Sequence, residues 1–88
     1  MVRKWELSRG AKQVVIIESM FTSGVVTSCI DVFDKQPDGT YRVMLRRRMF
    51  YGSLWAVREE GDNIVLVAKD PILVIPWTGV ILSGEQNR

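Results

Sequence analysis

Histidine is absent from this chain of 88 residues, and cysteine occurs once, at Cys29. A single cysteine excludes a disulfide within the chain, and without histidine the common zinc ligand sets cannot be assembled. The same absences remove the Ser–His and Cys–His pairs that activate nucleophiles in many hydrolases. Cys29 lies between Ser28 and Ile30 in an apolar stretch, which predicts a small packed side chain and not a reactive thiol.

Long apolar runs are also missing. The longest are Val14–Ile17, Ile64–Ala68 and Ile72–Ile75, each far shorter than the ~20 residues with which a helix crosses a bilayer. The segment Met1–Gly10 is rich in charge and has no apolar stretch of the signal-peptide type. Together with the low cysteine content, this predicts a cytoplasmic protein from a reducing compartment.

Sequence signatures of catalysis are lacking as well. The chain has no Gly-rich dinucleotide or phosphate loop, no nucleophile elbow and no metalloprotease motif. Glu59 and Glu60 flank a turn, where we expect them to be solvated, and alternation places Asp31 and Asp34 on opposite faces of one strand. We therefore expect no enzymatic activity, no catalytic residue, no cofactor and no metal site.

What the chain does contain is a series of short strand-forming runs rich in Val, Ile and Thr. Gln36–Gly39 includes Pro-Asp-Gly and predicts a hairpin, and Gly61–Asn63 predicts a second one. Val2–Arg9 is compatible with a turn of helix, and the polar tail Ser83–Arg88 is expected to fray. The predicted strands are Val14–Ile17, Val25–Asp34, Thr40–Tyr51, Leu54–Arg58, Ile64–Lys69, Ile72–Ile75 and Val80–Leu82.

This pattern predicts an all-β fold: one domain over residues 1–88, arranged as a small, strongly bent, five- to seven-stranded barrel. A domain of this size buries only a modest share of its surface. Val14–Ile17 is nevertheless apolar at every position, so both faces of that strand are apolar. Either the strand lies in a closed core or one face meets another subunit, and we expect a homo-oligomer.

Charge is unevenly distributed along the chain. The formal net charge is only +2, which does not by itself indicate a nucleic-acid ligand. Arg46, Arg47 and Arg48 are consecutive, however, and Arg42 is close by. A local basic patch can act on an anionic ligand even where the net charge of the protein is small.

Alternation along Tyr41–Tyr51 separates an apolar face from a basic one. We predict that the apolar face is the core face, with a β-bulge near Arg47 to resolve the one charge on it. This core face comprises Tyr41, Val43, Leu45, Arg47, Met49 and Tyr51. The opposite face comprises Arg42, Met44, Arg46, Arg48 and Phe50.

The basic face has two interpretations. Arginines beside a phenylalanine suit contact with the phosphates and unstacked bases of RNA. Arginines on a strand also commonly stay solvated and keep a sheet edge from aggregating. The chain has three tryptophans, Trp5, Trp55 and Trp77, and tryptophan usually packs in a core or an interface. Trp77 lies within a predicted turn and is therefore the candidate for an exposed stacking surface.

The layout resembles that of the Sm/Lsm family of small RNA-binding barrels, in which a short N-terminal helix precedes strongly bent strands. Val2–Arg9 would correspond to the helix and Val14–Glu18 to the first strand. Gly24–Asp34 would be the second strand, and its ending Val32-Phe33-Asp34 looks like the family's apolar-Phe-Asp ending.

The family's last two strands meet at a tight turn. Val74–Leu82 would supply this turn, or, in a competing placement, Gly61–Leu66. The family's asparagine after Phe-Asp has no counterpart in Lys35–Thr40, and its Arg-Gly pair is missing. The resemblance therefore implies an SH3-like or Sm-like barrel and an oligomeric ring more than it implies the base-specific pocket.

Two functional hypotheses follow. The first is a homo-oligomeric, Sm-like ring that binds single-stranded RNA without contacting a membrane. Its contacts would be Lys35, Arg42, Arg46, Arg48, Phe50 and Trp77. The alternative is a protein-interaction or structural module, such as a small accessory or viral protein, in which the basic face is solvated or binds a protein partner.

Overall fold

The computed structural model describes residues 1–77, which form seven strands. They are β1 (Val2–Arg9), β2 (Lys12–Ser23), β3 (Val25–Lys35), β4 (Tyr41–Tyr51), β5 (Ala56–Glu60), β6 (Asn63–Val67) and β7 (Pro71–Pro76). β1 to β4 are consecutive antiparallel neighbours in a four-stranded sheet, and β5 to β7 form a three-stranded sheet. The all-β prediction is confirmed. The predicted strand Val80–Leu82 and the tail Ser83–Arg88 lie outside the described residues.

Both predicted hairpins are present. In the β3–β4 connection, the Gly39 N–H donates to the Gln36 carbonyl oxygen at 2.9 Å. The Asp38 carboxylate accepts from the N–H and the hydroxyl of Thr40, and these bonds lower the pKa of Asp38. Gly61, with a φ of 61°, turns the chain between β5 and β6.

The N-terminal segment is a strand, so the prediction of a helical turn over Val2–Arg9 is wrong. Its alternation has period two: Trp5 lies opposite Ile16 and Leu7 opposite Val14 in the ladder with β2. Both side chains pack against the core. The extended conformation is favoured because it pairs with the edge of β2 and turns both Trp5 and Leu7 towards the core, which a single turn of helix would not do.

The core lies between the two sheets, which pack face to face as a sandwich. No ladder joins the two sheets into a closed barrel within residues 1–77. The buried apolar side chains come from both sheets and from the segment that connects them: Val14, Ile16, Ile30, Val32, Met44, Leu54, Ile64, Leu66, Ile75 and Trp77.

A buried carboxylate fixes the crossing from one sheet to the other. Glu18 on β2 is fully buried, and its Oε2 accepts the backbone N–H of Leu54 at 2.7 Å. The guanidinium of Arg3 on β1 pairs with Oε1 of Glu18 at 2.7 Å and also donates to the Leu54 carbonyl oxygen. Leu54, in the connection between β4 and β5, is thereby held through both of its backbone polar groups.

We expect Glu18→Ala to lower the free energy of unfolding by about 2–4 kcal/mol, because it leaves a buried N–H and a guanidinium without their acceptor. Glu60→Ala removes an exposed carboxylate that pairs with Arg58, so it should cost less than about 1 kcal/mol. Urea unfolding followed by circular dichroism measures both. Equal destabilisation by the two substitutions would contradict the role assigned to Glu18.

Candidate interaction surfaces

Strand β4 is irregular at its arginines. Ile30 lies opposite Arg48 and Val32 opposite Leu45, so two residues of β4 face the single residue Asp31. Arg47 has a φ of 55°, and its N–H donates to Oδ1 of Asp31 at 2.9 Å. The β-bulge predicted near Arg47 is therefore confirmed, and a second register shift follows between Val32 and Phe33.

The structure reverses most of the face assignment made for β4. Met44 is buried and Phe50 packs against the core, although both were predicted to face outwards. Leu45 alone of the predicted core face packs against the core. The remaining apolar residues of that face are exposed and point away from the second sheet: Tyr41, Val43, Met49 and Tyr51. Because the two shifts together restore the phase of the strand, alternation still groups the side chains correctly at both ends of β4. The sequence misassigned only which group faces the core, and pairing with β3 decides this: Arg42 lies opposite the buried Asp34 and Phe50 opposite the buried Ser28.

The consecutive arginines Arg46, Arg47 and Arg48 are exposed. Within residues 1–77 their guanidinium groups form no ion pair. Arg42 differs from them, because its guanidinium pairs with the buried carboxylate of Asp34 at 2.8 Å. The charge of Arg42 is therefore partly neutralised within the protein.

The other predicted nucleic-acid contacts are spread over the molecule. Lys35 is half-buried at the hairpin end of β3, opposite Tyr41. Phe50 is half-buried against the core. At about 3.3 Å per residue, Arg42 lies about 13 Å along the strand from Arg46, so these residues do not form one compact patch.

Trp77 is a core residue, so its proposed role as an exposed stacking surface is corrected. Its ring is only 2% exposed and packs in the cluster between the sheets. The Arg9 guanidinium lies over the ring at 5.0 Å from the centroid. The position within a predicted turn suggested exposure, but the ring is buried because burial of its large apolar area is favourable, as is usual for tryptophan.

The side of the four-stranded sheet that faces away from the three-stranded sheet is the second surface of interest, and it is here called the outer face. The ladder registers align its side chains in rows across the strands. One row joins Glu6, Val15, Phe33 and Val43, and the rows beside it contain Lys4–Ile17–Asp31 and Ser8–Gln13–Lys35–Tyr41. Val2–Ser19–Cys29–Met49 and Phe21–Thr27–Tyr51 complete the face.

Three of the five rows of the outer face are mainly apolar. No described strand covers this face, because the second sheet packs on the inner side. Phe33 and Tyr41 meet edge to face, with ring centroids 6.3 Å apart. Beside these rings, a groove is lined by Lys4, Glu6, Val15, Ile17, Phe33 and Tyr41. The signal in the sequence was the apolar run Val14–Ile17, whose residues alternate between the core and this face.

The carboxylates do not form a site among residues 1–77. Glu59 pairs with Arg9 and Glu60 with Arg58. Asp31 lies on the outer face while Asp34 points to the opposite side, as alternation predicted. No group of three His, Cys, Asp or Glu side chains in this part of the chain is placed to hold a metal ion. Nor does the described part contain a helix able to cross a membrane.

No protein-family model, no curated protein and no solved structure matches this chain. Its function is therefore argued from the two surfaces themselves.

Cys29 provides a probe of the outer face. Burial, and next the charge of Asp31, raise the pKa of its thiol above the usual value. We expect iodoacetamide at pH 7.5 to alkylate Cys29 slower than an unstructured cysteine peptide, on the order of tenfold. Asp31→Asn should speed the reaction, because removing the negative charge lowers the pKa while keeping an acceptor for the Arg47 N–H. A rate in the native protein equal to that of the peptide would contradict this.

Proposed function

We propose that the protein is a non-enzymatic interaction module that binds a protein partner through its outer face. The observation that carries the proposal is the set of apolar side chains that β2, β3 and β4 place on the outer face, uncovered by any described strand. Apolar patches of this extent on a soluble domain mark sites of association. Tyr41 and Met49, 54% and 51% exposed, lie on this surface without burial in the chain's own core.

The composition of the outer face supports a protein partner. Its rows contain two basic residues, Lys4 and Lys35, and two acidic ones, Glu6 and Asp31, and the exposed Arg46 and Arg47 add positive charge opposite Asp31 at the β4 edge. Tyrosine, phenylalanine and methionine, which this face contains, are enriched at the centres of protein interfaces.

Val43→Lys should weaken partner binding at least about tenfold, because it buries an unpaired charge in the interface. Val74→Lys is the matched control. Val74 lies on an edge strand of the other sheet, and it is 53% exposed where Val43 is 42% exposed. Tagged wild-type and Val74→Lys baits, treated with nuclease, should each capture the same stoichiometric protein. A partner retained equally by the Val43→Lys bait would place the binding surface elsewhere.

A second candidate function is binding of single-stranded RNA by the arginine segment Arg46–Arg48. Three consecutive exposed guanidinium groups without an ion pair in residues 1–77 favour it. Such groups contact phosphates, and the exposed ring of Tyr51 offers a surface for a base. The Sm-like barrel and the homo-oligomeric ring, implied by the sequence resemblance, belong to this candidate as proposals.

On this candidate, the double variant Arg46→Glu/Arg48→Glu should weaken binding of labelled U-rich and A-rich RNA at least tenfold, measured by fluorescence anisotropy. Wild-type binding should fall steeply between low and physiological salt, since each phosphate contact releases counterions. Arg58→Glu/Lys69→Glu makes the same change in net charge on or beside the three-stranded sheet. Equal losses in both double variants would show a nonspecific charge effect, and no wild-type binding at low salt would exclude this candidate.

A further inference from the structure

We propose that the partner of the outer face is a second copy of this chain, bound face to face about a two-fold axis. This inference rests on the proposed function and names the partner for it. It follows from the area, the charge and the shape of the same surface.

The area is sufficient for a specific contact. Four strands about 4.8 Å apart, aligned over about 27 Å, give the outer face a footprint of about 500 Å². Two such faces in contact bury about 1,000 Å² in total, which is the size at which specific interfaces begin. Antiparallel sheets commonly pack in this way, about 10 Å apart with their strands nearly aligned.

The charges of the outer face allow it to bind the same face of a second copy. A surface that binds its own copy in an isologous contact brings each of its charges near the charges of the same set. A face of one sign would repel its copy, but Lys4 and Lys35 here balance Glu6 and Asp31, and the excess positive charge of Arg46 and Arg47 is confined to the β4 edge. Lys4 and Glu6 already pair with each other at 3.2 Å, so their charges are compensated before association.

The shape of the face is complementary to itself. Phe33 and Tyr41 form a ridge on β3 and β4, and the groove beside it extends over Lys4, Glu6, Val15 and Ile17 of β1 and β2. A two-fold axis parallel to the strands places β1 and β2 of one copy over β4 and β3 of the other. The ridge of each copy then enters the groove of the other, and the contact is made twice.

Sedimentation velocity of the full chain over 1–200 µM, on the order of the affinities of weak to moderate dimers, tests the proposal. The wild type should shift with concentration from the monomer mass of 10.1 kDa towards twice that value. Val43→Lys should remain monomeric throughout, with an unchanged circular dichroism spectrum showing that it is folded. Val74→Lys should dimerise like the wild type.

A wild type that stays monomeric overturns the proposal, as does a dimer that is lost in Val74→Lys and kept in Val43→Lys. Binding of the dye ANS to the wild type then separates this failure from failure of the proposed function. If the monomer binds ANS and Val43→Lys reduces the binding, the outer face is open, and a different protein is its partner. If the monomer binds no ANS, the face is covered within the chain and the proposed function fails as well.

Discussion

The arrangement of the two sheets depends on one buried carboxylate. Glu18 accepts the backbone N–H of Leu54 while Arg3 donates to the carbonyl oxygen of the same residue. The segment between β4 and β5 is thus held against the inner side of β1 and β2, where Leu54 enters the core. Arg9 makes a second connection, from the end of β1 to the turn between β5 and β6. Both connections hold the three-stranded sheet against the inner side of the four-stranded sheet.

This arrangement determines what remains exposed. Within residues 1–77 the chain makes two layers, so only one face of each sheet can be covered by the other. β2 nevertheless carries Val15 and Ile17 on the side that faces away from the core. A strand that is apolar on both faces in a two-layer protein leaves one apolar face for association. The apolar outer face is thus a consequence of the residue pattern of β2 and of the inner position of Leu54.

The sequence predicted the parts of this structure that depend on local chemistry. The turns at Gln36–Gly39 and Gly61–Asn63 follow from residues that tolerate positive φ, and the β-class follows from the branched side chains between them. The predictions that failed depend on distant contacts. Val2–Arg9 becomes a strand because it pairs with β2, and the side of β4 that faces the core is set by its pairing with β3. Trp77 is buried by the packing of two sheets, which no local pattern encodes.

In the proposed dimer, the arginine segment and the outer face would have complementary effects on association. β4 is an edge strand, and an edge with regular unpaired N–H and C=O groups invites pairing with another sheet. The bulge at Arg47 and the charges on either side of it interrupt that edge. Edge-to-edge growth is therefore disfavoured, whereas face-to-face contact stays open. About 1,000 Å² of mostly apolar contact contributes up to about 25 kcal/mol before an association cost of about 4–15 kcal/mol and the ordering of side chains. Because interfaces of equal area differ widely in affinity, the fit of the Phe33–Tyr41 ridge into the groove, and not area alone, sets the affinity.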